Sequence, residues 1–154
     1  MTIKSPLSTI FLISPLLFAF AFVKLPYLFY INTSPSAPLG IYIISFEPID
    51  NGDYCLLGKN DVPVQLKGLP QTILKRVAFC RSEYIEINDE GVFADGKFIC
   101  NRPIKNRVHK YFYSGRLKSN ECLLLNDNPD SFDSRHFGPV SIECLSKVNL
   151  LLKF

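Results

Sequence analysis

Ser36 is the candidate nucleophile of this chain, set in the stretch Asn32-Thr33-Ser34-Pro35-Ser36-Ala37-Pro38-Leu39-Gly40-Ile41-Tyr42. The two histidines, His109 and His136, lie far downstream, so a serine enzyme built here would take its general base from elsewhere. Lys75 is the best candidate. A serine hydroxyl is a poor nucleophile until a base removes its proton, and a lysine is a base only when neutral. At a pKa of about 10.4, roughly one lysine in 2,500 is neutral at pH 7; reaching about 8 takes about 3 kcal/mol of environment hostile to the charged form. Burial in an apolar row has the right sign and can reach that size. Arg76 has no such use, since a guanidinium stays charged. An oxyanion needs donors already aimed at it; the backbone N–H of Ser36 is one, and Pro35, with no N–H, stiffens the approach. Ser34 is the second choice of nucleophile. The same residues also read as an ordinary loop, because Ser and Thr among prolines and a glycine make turns.

The elements that must position these groups read as strands, short apolar runs broken by turn residues. Gly40 to Phe46 is a first strand, residues 47–53 its turn, and Tyr54-Cys55-Leu56-Leu57 a second strand. Residues 59–68 form a polar loop around Pro63. Gln71 to Phe79 is a third strand, whose alternation puts Ile73, Lys75, Val77 and Phe79 on one face. The alternative for Lys75 is a place at the strand's end, reaching out to water. Tyr84 to Ile87 and Val92 to Ala94 read as a hairpin, extended by Lys97 to Cys100 after Asp95-Gly96. Residues 101–120 are basic and irregular, a solvated excursion or a lid, with Tyr111-Phe112-Tyr113 the apolar cluster. Cys122 to Leu125 and Val148 to Leu152 complete the strands, and no long amphipathic helix follows the N-terminal segment. The domain is expected to be mainly β.

Ile10 to Val23 is fourteen residues without a charge, and apolar character resumes after Lys24 from Leu25 to Ile31. A spanning helix needs roughly 20 apolar residues, so the run is long enough only if Lys24 snorkels its ammonium to the headgroups. Tyr27 and Tyr30 suit an interface. Residues 1–31 are therefore expected to be a membrane anchor. A cleaved signal peptide and a buried core helix are the competing readings; Lys4 suits the former, but Phe20-Ala21-Phe22 makes a poor small-x-small exit.

Two further blocks keep the serine stretch company: Ile73-Leu74-Lys75-Arg76-Val77-Ala78, and residues 126–140, which contain Asp133-Ser134-Arg135-His136-Phe137-Gly138. In that order and spacing the three resemble the bacterial signal peptidase superfamily of Ser-Lys proteases. The Ser-x-Pro-x-Gly-x-Tyr form of the first is most similar to its conjugative branch, the TraF-type transfer peptidases. The resemblance runs from Asn32 to Val140. It implies a signal-peptidase-like, LexA-like β-sheet catalytic domain over 32–154 on the periplasmic side of the cytoplasmic membrane, with the N-terminus inside. It implies Ser36 and Lys75 as the catalytic dyad, with Ser131 bonding the lysine nitrogen. Asp133 would fix the block by pairing with Arg135, and the Ser34 hydroxyl would join the Ser36 N–H in the oxyanion hole. Asp-Ser-Arg is also a common surface turn, and Ser34 also fits a turn position. The sequence departs from the family in having Phe79-Cys80-Arg81-Ser82-Glu83 where Gly-x-Pro-Gly-Asp is common, and Ala37 where general signal peptidases carry methionine.

The resemblance implies an exported precursor as substrate, cleaved at its leader after small residues, and for the transfer branch a conjugative pilin subunit. Lys4 and Lys24 belong to the N-terminal segment, and without them 15 basic residues face 14 acidic ones. That balance carries no basic patch signature, so nucleic acid is not an expected partner. Five cysteines without C-x-x-C spacing argue against a zinc site, and no cofactor or metal is expected. An exported domain permits disulfides; Cys80 and Cys100 could pair across the base of a hairpin, with Cys55 and Cys122 as buried thiols. The rival readings are a catalytically silent, membrane-anchored assembly factor of a pilus or secretion machine, a self-cleaving repressor protease of the same core fold, and an anchored binding domain unrelated to peptidases.

Overall fold

The computed structural model describes residues 28–63, 70–102 and 111–154. Eleven strands run in chain order: β1 (Phe29–Asn32), β2 (Gly40–Ile44), β3 (Tyr54–Gly58), β4 (Thr72–Cys80), β5 (Tyr84–Ile87), β6 (Val92–Ala94), β7 (Lys97–Cys100), β8 (Tyr113–Arg116), β9 (Glu121–Leu124), β10 (Val140–Ser141) and β11 (Leu145–Lys153). Among the described residues one short α-helix, α1 (Ser134–Phe137), interrupts them. The domain is mainly β, as its alternating apolar runs predict.

The strands form a seven-stranded sheet of order β1-β2-β11-β3-β4-β9-β10 and a four-stranded sheet of order β7-β6-β5-β8. In the large sheet β11 lies between β2 and β3, so its pairing with both holds the strand after the serine loop in the same sheet as the lysine strand. Gly40 is required at this seam: a Cβ there would collide with the Leu152 carbonyl oxygen across β2 and β11. Ile85, Ile87 and Val92 of the small sheet pack with Leu123 and Leu125 and with Ala78 and Phe79 of β4. The other face of β4 and β9 carries a separate core of Cys55, Leu57, Ile73, Val77, Leu124 and Phe137 among others.

Four expectations are corrected here. Phe29 to Ile31, assigned to the anchor, are strand: β1 pairs with β2 from Phe29↔Ile43 to Asn32↔Gly40, and Tyr30 packs on the core of Tyr42, Leu74 and Val148. Period-2 burial, rather than a continuous apolar run, governs those residues. Phe79 does not share the face of Lys75. A bulge between Val77 and Phe79 inserts one residue into the alternation, so Phe79 turns to the small sheet while Cys80 returns to the core of Val77, as a bulge requires. Residues 101–120 are not wholly irregular, because β8 pairs with β5 from Tyr84↔Arg116 to Ile87↔Tyr113. Finally, Cys80 is bonded to Cys122, not to Cys100. The two lie directly opposite on neighbouring β4 and β9, whereas Cys100 ends β7 in the other sheet as a free thiol. Cys55 is a buried free thiol.

Among the described residues no helix is long and apolar enough to cross a membrane. The expected anchor lies, up to residue 27, outside the described residues.

Candidate active site

Antiparallel pairing places Lys75 in the middle of β4, opposite Cys55 of β3. Its neighbours on the same face, Ile73 and Val77, are both buried in the core, and Lys75 itself is 4 % exposed. Its stem does not reach out to water. Burial holds the ammonium well below its ordinary range, at about 8. Asp133 pulls the value up and Arg135 pushes it down, so the two ends of that ion pair oppose each other and desolvation dominates. Lys75 Nζ donates to Ser131 Oγ at 3.0 Å.

Ser131 and Asp133 come from the turn that leads into α1, and Arg135 from the first turn of α1 itself. Asp133 caps this helix, accepting from the Arg135 N–H at 3.2 Å, an ordinary use of Asp at a helix start. The same carboxylate accepts from Arg135 Nε at 2.8 Å and Nη2 at 2.6 Å. The Asn126 N–H is a further donor to it, at 3.1 Å. Both partners are almost wholly buried, and the fork-on-carboxylate geometry is what lets such a pair be tolerated there. The Ser134 hydroxyl accepts from Leu124 N–H at 2.9 Å, tying the turn to β9. Asp133-Ser134-Arg135 is thus a buried brace and not a surface turn.

Ser36 lies on the loop between β1 and β2, and the organiser of that loop is Asn32. Buried at the end of β1, Asn32 accepts from the Ser34 N–H at 3.1 Å. Through Nδ2 it donates to the carbonyls of Ser34, Ala37 and Pro38 at 3.0, 3.1 and 3.0 Å. Tyr42, fully buried, donates its hydroxyl to the same Pro38 carbonyl at 2.8 Å. Ser36 Oγ and Ser34 Oγ are 3.0 Å apart, and the Ser36 N–H points to Ser34 Oγ at 3.5 Å.

The serine loop and the lysine strand meet in one cleft of about 220 Å³, lined by Ser34, Ser36, Lys75 and Ser131 with Tyr30 and Asn32 among others. Ser36 also lines a second cleft of about 450 Å³, bounded by Pro35, Leu39, Tyr54, Asn128 and Phe154 among others. A hydroxyl that lines both clefts is accessible to a substrate bound in either. Ser36 and Lys75 share the smaller cleft without a direct hydrogen bond. Asn128 Nδ2 reaches the Pro35 carbonyl at 3.5 Å, while Arg135 Nη2 donates to the Asn128 carbonyl at 2.8 Å, so the brace touches the serine loop as well. Arg76 pairs with Asp127 at 2.6 Å and holds the intervening loop to β4.

All six residues singled out in sequence, Ser34, Ser36, Lys75, Ser131, Asp133 and Arg135, converge on this region. His136 is buried against the Phe132 ring and lines neither cleft; His109 lies outside the described residues. Asn32, Asn126 and Asn128 were not anticipated. Asn32 had a local signal, an Asn two residues before a Ser in a turn-rich stretch. Asn126 and Asn128 act across more than 50 residues and carry no local signal.

The model of the family described as "Signal peptidase, peptidase S26" matches residues 3–149. Two plasmid transfer proteins TraF of Escherichia coli are similar to this chain. One is 29 % identical over 134 residues, covering 72 % of this chain and 74 % of the relative. The other is 28 % identical over 135 residues, covering 72 % and 75 %. A signal peptidase I of Enterococcus faecalis V583 aligns in structure with a TM-score of 0.45 at 20 % identity, over 68 % of this chain and 99 % of that one.

Proposed function

The chain belongs to the signal peptidase family, peptidase S26, and on that premise we propose that it is a serine endopeptidase with Ser36 as nucleophile and Lys75 as general base. The observation that carries this reading is Lys75: a lysine buried in an apolar row, bonded to Ser131 and open to the cleft of Ser36. With an N–H engaged by Ser131, the lone pair of a neutral Nζ is free to take the Ser36 proton as Oγ attacks the scissile carbonyl carbon. The Ser36 N–H and the Ser34 hydroxyl turn to the oxyanion, exchanging their contact with each other for contacts with substrate. The lysine then returns its proton to the leaving amine, and water, deprotonated by the same nitrogen, releases the acyl group. Asp133 and Arg135 touch no reacting atom and act as the brace.

Residues 1–27 supply the membrane anchor in this reading, and the domain acts on the periplasmic side of the cytoplasmic membrane. The substrate is the leader of an exported precursor, and the similarity to plasmid transfer proteins supports a conjugative pilin subunit. The test is co-expression with a pilin precursor encoded beside the gene, read by the precursor's mass, for wild type, Ser36→Ala and Lys75→Ala. Shortening by wild type alone supports the dyad and gives the cleaved bond; shortening by either variant removes that residue from the mechanism.

One observation favours a second reading: Ser36 Oγ is bonded to Ser34 and not to Lys75. In a catalytically silent assembly factor that contact would be permanent, and the wild type would leave every precursor at full length.

A further inference from the structure

Strand β9 pairs with β4 only from Val77 onward. One rung further, the Leu125 N–H donates to the Arg76 carbonyl at 2.9 Å, and there the chain leaves the sheet. The two backbone groups of β4 that flank Lys75 on that side are the Arg76 N–H and the Leu74 carbonyl. Both are taken by one side chain. Asn126 Oδ1 accepts from the Arg76 N–H at 2.8 Å, and Asn126 Nδ2 donates to the Leu74 carbonyl at 3.3 Å. The carboxamide of Asn126, a residue 5 % exposed, stands in for the missing strand residue. Its own backbone is gripped by the brace, through its N–H to Asp133 Oδ2 and its carbonyl to Arg135 Nη2 at 3.4 Å.

We propose that Asn126 is a positioning residue for the general base, its carboxamide holding the strand on both sides of Lys75 and keeping water from that stretch of backbone. The inference rests on the assignment of Lys75 as base. An amide is the one short neutral side chain that both accepts and donates at this spacing. A regular backbone rung could not replace it, because the chain must turn here for Asn128 to reach Pro35. Without the carboxamide the Arg76 N–H and Leu74 carbonyl are left for water to satisfy, and water admitted there favours the charged lysine. The other groups facing Lys75 are Asp133 and Arg135 from the brace, Asp130 on the cleft and the Cys55 thiol from β3. None of these is altered by the change.

The test needs no natural substrate. Full-length protein in detergent micelles is treated with p-nitrophenyl acetate across a pH series, and acetylation of Ser36 is followed by protein mass. The acetyl group passes to Ser36 Oγ, nitrophenolate leaves, and the hydroxyl proton goes to Lys75. In wild type the rate falls below about pH 8. In Asn126→Ala the acid limb moves up by about one pH unit, with about 10-fold slower acetylation at pH 7. Asn126→Asp keeps an acceptor for the Arg76 N–H, loses the donor to Leu74 and adds negative charge, so its limb moves further in the same direction. It serves as the readout should the alanine variant not fold. Folded variants whose limb stays in place overturn the inference. Lys75→Ala separates the two levels: if it is inert while the Asn126 limb is unmoved, only the role of Asn126 falls; if it is acetylated like wild type, the base assignment falls and this inference with it.

Discussion

Lys75 Nζ lies 3.0 Å from the Ser131 hydroxyl across 56 residues of sequence, and that contact joins the strand bearing the lysine to the turn bearing Asp133 and Arg135. The turn in turn reaches the serine loop through Asn128 and Pro35. Two halves of a site that are far apart in sequence are thereby referred to one buried ion pair. The cost of burying an amine in that position is the basis of the first prediction.

Lys75→Met is expected to stabilise the protein while abolishing cleavage. The lysine pKa is lowered in the fold to about 8 from 10.5, so between those values the unfolded chain binds more protons than the folded one. Stability therefore rises with pH across that window, and the whole penalty, about 3 kcal/mol, is present below pH 8. The methionine variant should have the higher Tm at pH 7, with the advantage shrinking as pH approaches 10.5. Equal melting of the two proteins from pH 6 to 10 would show that the lysine is not desolvated.

Proteolytic activity should show the same titration from the other side. If the neutral amine is the base, as proposed, the rate constant of acylation should fall about tenfold per pH unit below about 8. Single-turnover rates on a leader peptide between pH 6 and 9 measure it. A flat profile over that range would point to a base other than Lys75.

Period-2 alternation made the burial of Lys75 legible in the sequence, because Ile73 and Val77 flank it at two-residue steps and side-chain direction in a strand is a local property. The same rule failed at Phe79. A bulge there answers to the partner strand β9, which the local sequence of β4 does not contain. The disulfide was misread for a related reason: the Cys80 to Cys100 pairing assumed one continuing hairpin, while β4 finds its partner past the whole four-stranded sheet. The Ser-x-Pro-x-Gly-x-Tyr stretch was legible as a motif, and the structure supplies its physics in the seam at Gly40 and the Tyr42 bond to Pro38. What one asparagine does for a strand 50 residues away had no signature in composition or spacing.

Arg135→Ala should be among the most damaging substitutions in the domain. It leaves the fully buried Asp133 carboxylate without its guanidinium and the Asn128 carbonyl without a donor. Removing one partner of a buried pair costs about 3–5 kcal/mol. Urea unfolding at neutral pH measures it, and a loss under 1 kcal/mol would mean that water already reaches the pair.

Opening the Cys80–Cys122 bond, which spans 42 residues, should cost about 4 kcal/mol if the stabilisation is loop-closure entropy. The double variant Cys80→Ala/Cys122→Ala, compared with the oxidised wild type in guanidinium, gives the number. Because the bond fastens β4 to β9 beyond the bulge, the folded variant should keep the acid limb of wild type. A shifted limb would mean that the tie reaches as far as Lys75.

Asn32→Ala tests the serine side of the site. Four hydrogen bonds made by one buried side chain hold the turn of Ser34 and Ser36; an alanine leaves the Ser34 N–H and the Ala37 carbonyl to find other partners, while the Pro38 carbonyl keeps the Tyr42 hydroxyl and the Ser34 carbonyl keeps the Ala37 N–H. The loop then samples positions in which Ser36 is no longer aimed, and misplacement of a reacting group by about 1 Å can cost about 100-fold in rate. Acylation should slow by that order, while the pH at which it half-titrates stays that of wild type, because Asn32 lines the cleft of Lys75 but is uncharged and sends its hydrogen bonds to the serine loop, not to Lys75 or to the Asp133 and Arg135 that act on it. This separates the two asparagines by measurement: the change at Asn32 lowers the plateau, and the change at Asn126 moves the limb. If Asn32→Ala moved the limb instead, the serine loop would have to be part of what keeps Lys75 dry.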